Sequence, residues 1–215
     1  MRIIDPSFEI LDPIDGDAIL AKLERAGRTC YKSEDRITAA SAPDFVRRIM
    51  RSGHDSVIEH ISISVKFVCD RGVTHELVRH RLASYSQEST RYANYSRDRF
   101  GREITVIKPL FWSEDSTPYR EWKQAMKAAE IHYMQLTDLG ATPQEARSVL
   151  PNSLKTEVVM TCNLREWRHI LELRCSSRAH PQIRELMLPL LKEFHKRIPV
   201  LFDDLYERFV GSEAC

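Results

Sequence analysis

Residues 61–92 read ISISVKFVCDRGVTHELVRHRLASYSQESTRY. Three patterns follow one another in this stretch. Ile61, Ile63, Val65 and Phe67 alternate with Ser62, Ser64 and Lys66, the period of two that half-buries a β-strand. A short helix is predicted after Gly72, running to about Arg81. Residues 84–101 are polar and rich in Ser, Tyr, Arg and Asn, and read as a loop. A half-buried strand must cover its apolar face, so the next question is what flanks it.

On the N-terminal side, residues 17–30 and 43–52 read as helices, the second closed by Gly53. On the C-terminal side, 103–108 reads as a strand, and a long helix runs from about Pro118 to Leu139 and stops at Gly140. Thr142-Pro143-Gln144-Glu145 is a helix start: Thr142 caps, Pro143 fits the first helical position and Glu145 completes a capping box. Residues 155–162 read as a strand. Asn163 and Glu166 form a second cap-and-box pair that opens a helix to about Arg174. A last helix spans about 181–197, with a kink expected at Pro189. The expected class is α+β, one domain over residues 1–215, with helices packed around a small, largely antiparallel sheet.

Bulk composition excludes more than it identifies. The 31 acids and 32 bases nearly cancel, for a net charge of +1, so no basic coat for nucleic acid or a membrane surface is expected. No run approaches the roughly 18 apolar residues of a membrane span, and acids interrupt MRIIDPSFEILDPID too early for a secretion signal. Cys30, Cys69, Cys162, Cys175 and Cys215 are odd in number, widely spaced and without a CxxC pair. That usage suits a reducing cytoplasm and structural thiols.

Local chemistry is concentrated from Arg79 to Arg102, which holds six arginines and no lysine among serines, tyrosines and Phe100. A guanidinium grips phosphate bidentately and stacks on flat rings, whereas an ammonium is a point charge. The segment therefore suits a nucleotide or dinucleotide; a solvated arginine loop with surface ion pairs is the competing reading. HELVRH (75–80) is one residue too long for a zinc helix, because a spacing of five turns the second histidine roughly 140° away. No metal is expected. GxGxxG and GxxxxGK[ST] are absent, so a dinucleotide would be held by side-chain arginines.

Arg79-His80-Arg81, seven residues, Ser89, then Arg91-Tyr92 resembles the signature of the flavin-dependent thymidylate synthases. Gly53-His54 with Glu59-His60, Glu145-Ala146-Arg147 through Leu150-Pro151, Asn163-Leu164-Arg165 and Leu173-Arg174 resemble further segments of that family, in its order, over about residues 25–190. The resemblance implies reductive methylation of dUMP to dTMP in the cytoplasm, with FAD as cofactor and NADPH and 5,10-methylenetetrahydrofolate as co-substrates. It also implies a homotetramer with inter-subunit sites. FAD would be held by Ser56, Arg79, His80, Arg81, Gln87, Asn163, Leu164, Arg165 and His169. dUMP would meet Glu76, Arg79, Gln87, Glu88, Ser89, Thr90, Arg91, Arg147 and Arg174, with Ser89 and Arg91 on the phosphate. Arg174 is the implied catalytic residue, its fixed charge stabilising negative charge that develops on the pyrimidine. Glu76, Gln87 and His169 depart from the family pattern, where glutamine, glutamate and asparagine respectively are common. A non-catalytic nucleic-acid binder and a flavoprotein acting on uracil in RNA are the alternatives, and the near-zero net charge weighs against both.

Overall fold

The computed structural model describes residues 1–211; Cys215 lies outside the described residues. In chain order the elements are β1 (Arg2–Ile4), β2 (Ser7–Ile10), α1 (Gly16–Tyr31), α2 (Ala42–Arg51), β3 (Ser62–Asp70), α3 (Arg71–Leu77) and β4 (Ala83–Gln87). Then come β5 (Thr105–Ile107), α4 (Thr117–Asp138), α5 (Pro143–Ala146), β6 (Lys155–Asn163), α6 (Leu164–Arg174), α7 (Pro181–Arg197) and α8 (Pro199–Phe209). The class is α+β, with a small antiparallel sheet in the strand order β2-β3-β6-β4. A separate short pair, β1 and β5, is parallel, with Ile3 opposite Val106. Among the described residues, no helix is long and apolar enough to cross a membrane.

The described chain divides into two compact units. One comprises Met1–Phe8, Lys66–Arg79 and Tyr85–Val159; the other comprises Glu9–Val65, His80–Ser84 and residues from Met160 onward. Strands β2, β3, β4 and β6 each contribute residues to both.

In the first unit, Tyr95, Ile104, Val106, Tyr133 and Leu154 form a buried cluster with Met126 of α4. Thr142 and Glu145 form the expected box: the Glu145 carboxylate accepts from the Thr142 backbone N–H at 2.7 Å and from its hydroxyl at 2.6 Å. That bonding holds the Glu145 carboxyl below its usual range. Helix α4 ends where Gly140 takes φ +93°, a left-handed value that costs glycine little.

In the second unit, α1 buries Leu20, Leu23, Glu24, Gly27 and Arg28, the i, i+3, i+4, i+7, i+8 stripe of an amphipathic helix. Asp15 caps it by accepting from the Ala18 N–H at 3.0 Å. Trp167 of α6 packs edge-on against Phe194 of α7, which meets Phe202 of α8. The Trp167 indole N–H donates to the Ile63 carbonyl at 2.9 Å, so the largest buried ring is also satisfied in its polar corner.

The fold differs from the sequence reading in three places. Helix α3 stops at Leu77 rather than near Arg81, and Val78 is its last cap residue. The Leu77 carbonyl accepts instead from the Tyr85 hydroxyl at 2.7 Å, so Arg79, His80 and Arg81 lie beyond the helix. Residues 83–87, read mostly as loop, form strand β4. Its alternation is carried by Tyr85 and Gln87 against Ser84 and Ser86, so it is visible in burial but not in hydrophobicity. Residues 199–209, to which the sequence reading assigned no element, form α8 behind Pro199. Cys69, Cys162 and Cys175 are buried, and burial pushes their thiols up, to about 12 for Cys69 and Cys175. Cys30 is exposed on the last turn of α1.

Candidate functional site

The second unit gathers one set of the expected residues at the start of α6. Asn163 caps this helix, its Oδ1 accepting from the Glu166 N–H at 2.9 Å. Leu164 and Arg165 follow in the first turn, and His169 lies one turn further along. A cavity of about 580 Å³ opens there, lined by Asn163, Arg165, His169, Glu59, Glu166 and Leu82. Arg165 is exposed and pairs with Glu59 at 2.6 Å. Helix-start N–H groups, a guanidinium, a carboxamide and an imidazole give this cavity several hydrogen-bond donors, which suits a partner rich in oxygen and ring nitrogen. Ser56 and Arg81 are both exposed in the same unit.

His80 behaves differently from its arginine neighbours in sequence. It is buried, at 5% exposure. The Arg174 Nε–H donates to its Nε2 at 3.0 Å, which requires a neutral ring with its proton on Nδ1. Nδ1 faces Glu166 Oε1 at 3.7 Å, and the ring of His169 approaches edge-on with centroids 6.1 Å apart. Burial first, then the positive charge of Arg174 and the presence of His169, push the His80 pKa down to about 4. His80 thus orients Arg174. Glu166 was read only as a capping-box member; its carboxylate faces His80, a role that no local pattern announces.

The first unit gathers the other set. The Gln87 amide donates to the Thr74 hydroxyl at 3.1 Å and to the buried Thr156 hydroxyl at 3.3 Å. Glu88 is engaged at both oxygens, by the Tyr95 hydroxyl at 3.1 Å and by Lys155 Nζ at 3.1 Å. Lys155 also meets Glu157 at 2.6 Å, and Glu157 meets Lys66. Burial, then the Glu88 charge, pushes the Tyr95 phenol well above its usual range. Ser89 opens a tight turn: its carbonyl accepts from Tyr92 and Ala93, and its Oγ accepts from the Arg91 N–H at 3.3 Å. A cavity of about 500 Å³ adjoins that turn, lined by Glu88, Ser89, Tyr92, Arg99, Phe100 and Lys155 among others. Arg147 Nη1 donates to the Thr90 hydroxyl at 3.4 Å, so residues 57 apart in sequence meet. Glu76 is half-buried on α3, and Arg79 and Arg91 are exposed. Lys155, Thr156 and Glu157 on β6 and Thr74 on α3 are not among the expected residues; the sequence marks them only as members of a strand and of a short helix.

The expected residues thus separate by unit. Ser56, His80, Arg81, Asn163, Leu164, Arg165, His169 and Arg174 belong to the second, and Glu76, Arg79, Gln87, Glu88, Ser89, Thr90, Arg91 and Arg147 to the first.

Residues 16–200 match the family described as thymidylate synthase complementing protein. A flavin-dependent thymidylate synthase of Geobacter sulfurreducens is 36% identical over 191 residues, covering 86% of this chain and 81% of that protein. The Pyrococcus furiosus enzyme of the same name is 33% identical over 186 residues, covering 86% and 75%. In fold, the chain is similar to a UMP/dUMP methylase, PolB of Streptomyces cacaoi, solved with 5-Br dUMP, with a TM-score of 0.77 at 24% identity over 97% of this chain and 98% of that one. The motif order, the arginine placement and these relatives lead to one assignment: the chain belongs to the flavin-dependent thymidylate synthase family.

Proposed function

We propose that the protein converts dUMP to dTMP in the cytoplasm, with FAD as cofactor and with NADPH and 5,10-methylenetetrahydrofolate as co-substrates. The observation that carries this reading is the pairing of Arg174 with neutral His80, which holds a full positive charge in one orientation. Arg174 is only partly buried, so a pyrimidine ring can approach its guanidinium. Held this way, it stabilises negative charge on the ring without reorganising during the reaction.

The cavity at the start of α6 fits FAD by its chemistry: Asn163, Arg165 and His169 supply donors, and the helix start favours anionic oxygen. When bound, FAD supplies the hydride chemistry that links NADPH oxidation to the new methyl group. Ser89 and Arg91 bind the dUMP phosphate, with Arg147 contributing from a separate segment. Exposed Leu82 and Leu139, at 75% and 85%, suit burial against partner subunits of a homotetramer.

The deciding experiment is anaerobic. The FAD-loaded protein is reduced, dUMP and methylenetetrahydrofolate are added, and flavin absorbance is followed. Reoxidation that needs both additions, with dTMP formed, supports the reading. Reoxidation indifferent to dUMP, or a preference for UMP or RNA uracil over dUMP, overturns it.

A further inference from the structure

The second unit holds another cavity, of about 470 Å³, whose lining includes Arg28, Tyr31, Lys32, Arg36, Arg48 and His54. No residue assigned above to FAD or dUMP lines it. Its charge is strongly unbalanced. Arg28 is buried and neutralised by Glu24, at 2.7 Å from Nη2 and 2.8 Å from Nε. Among the described residues, Lys32, Arg36 and Arg48 form no ion pair, and Asp35 is the one acid on the wall.

Several side chains of the lining pack on one another. The Arg28 and Arg48 guanidinium carbons lie 4.7 and 5.4 Å from the centroid of the same ring, Phe45, which fixes two planar cations on one apolar support. Tyr31 and His54 stack with planes 22° apart, and the Tyr31 hydroxyl lies 2.7 Å from His54 Nδ1. Lys32 closes α1 at φ 47°, ψ 50°, where glycine is the ordinary residue. A lysine in the left-handed region lines the cavity at a backbone cost that glycine would avoid. Arginines stacked on a ring and an added lysine are the means of recognising a chain of carboxylates or phosphates.

We propose that this cavity binds the polyanionic tail of a co-substrate. The identity of that co-substrate rests on the proposed function: the tail is either the γ-linked glutamates of the folate or the phosphates of the pyridine dinucleotide. His54 leads directly into the turn that carries Ser56 and Glu59, and Glu59 lines the cavity at the start of α6. A tail anchored on Arg36, Lys32 and Arg48 would thus lie beside the segment assigned to the flavin.

The test uses the intact FAD-loaded protein and calorimetric titration in about 0.15 M salt, where loose surface attraction is screened. The probes are γ-linked triglutamate and inorganic tripolyphosphate, each compared with its monomer. One-to-one binding of a trimer well above its monomer is expected, weakened about tenfold or more by Arg36→Glu. Preference for triglutamate identifies the folate tail, and preference for tripolyphosphate identifies the dinucleotide. Lys32→Gly removes the charge and relieves the backbone, so its weaker binding with improved thermal stability separates charge from folding. Binding no tighter than the monomers, or unchanged in both variants, overturns the proposal. Because no turnover is read, tail binding that persists in a protein making no dTMP would sink the proposed reaction and leave the site standing.

Discussion

The Arg174 guanidinium donates through Nε to Nε2 of His80 at 3.0 Å, across 94 residues of sequence. Because the imidazole accepts, it must be neutral, and its burial beside Arg174 holds its pKa at about 4. The unfolded chain therefore binds this proton first as pH falls. The His80 contribution to stability is complete above about pH 6.5 and is lost progressively down to about pH 4, up to about 3 kcal/mol in all. Denaturant unfolding of the wild type and His80→Gln at pH 7 and pH 4.5 checks this. The wild type should lose about 2 kcal/mol more than the variant on acidification, and equal losses would mean the histidine is not the titrating group.

Arg174→Ala should lower dTMP formation by about 10²–10³-fold, the usual cost of removing one electrostatic stabiliser of a transition state. FAD content should be unchanged, since Arg174 does not line the cavity at the start of α6. Arg174→Lys keeps the charge but loses the Nε donor to His80, so it should recover only part of the rate. Near-normal single-turnover flavin reoxidation in the alanine variant would rule out the catalytic assignment.

Asn163 has two separable duties. As the α6 cap it bonds the Glu166 N–H, and Asn163→Ala should cost about 1 kcal/mol. Asn163→Asp keeps the cap, so stability should stay close to wild type, but it replaces an amide donor with an anion in the cavity proposed for FAD and should weaken FAD more than alanine does. FAD titration beside thermal unfolding of both variants tests this; parallel changes in stability and affinity would show one duty only.

Gly27 lies where α1 meets Phe45. A Cβ there would sit 2.6 Å from the ring, far inside normal contact. Alanine is better than glycine in a helix by up to about 1 kcal/mol, but overpacking costs about 1–3 kcal/mol. Gly27→Ala should therefore destabilise by about 1–2 kcal/mol in denaturant unfolding. The displaced ring should also disturb Arg28 and Arg48, which both pack on it.

Several elements were legible because their signals are local. Asn163 and the Thr142–Glu145 box start helices by bonds that span three residues. Gly140 stops a helix by its own backbone freedom, and β3 announces itself by alternating Ile and Val with Ser. Strand β4 lacks that contrast, because Tyr85 and Gln87 alternate with serines and only burial distinguishes the faces. The end of α3 was missed because the group that takes up the Leu77 carbonyl, the Tyr85 hydroxyl, is eight residues away.

By itself, the sequence determined the α+β class, the caps, the arginine-rich signature and the family, all of which are carried by residue types at fixed short spacings. The tertiary structure alone decided which groups are engaged and which are free. Neutral His80 orienting Arg174, Glu166 turned toward His80, Glu88 held by Lys155 and Tyr95, and Lys32, Arg36 and Arg48 gathered on one cavity all depend on groups brought together by folding. A side chain's burial and charge state are set by its neighbours in space, and those neighbours have no fixed spacing along the chain.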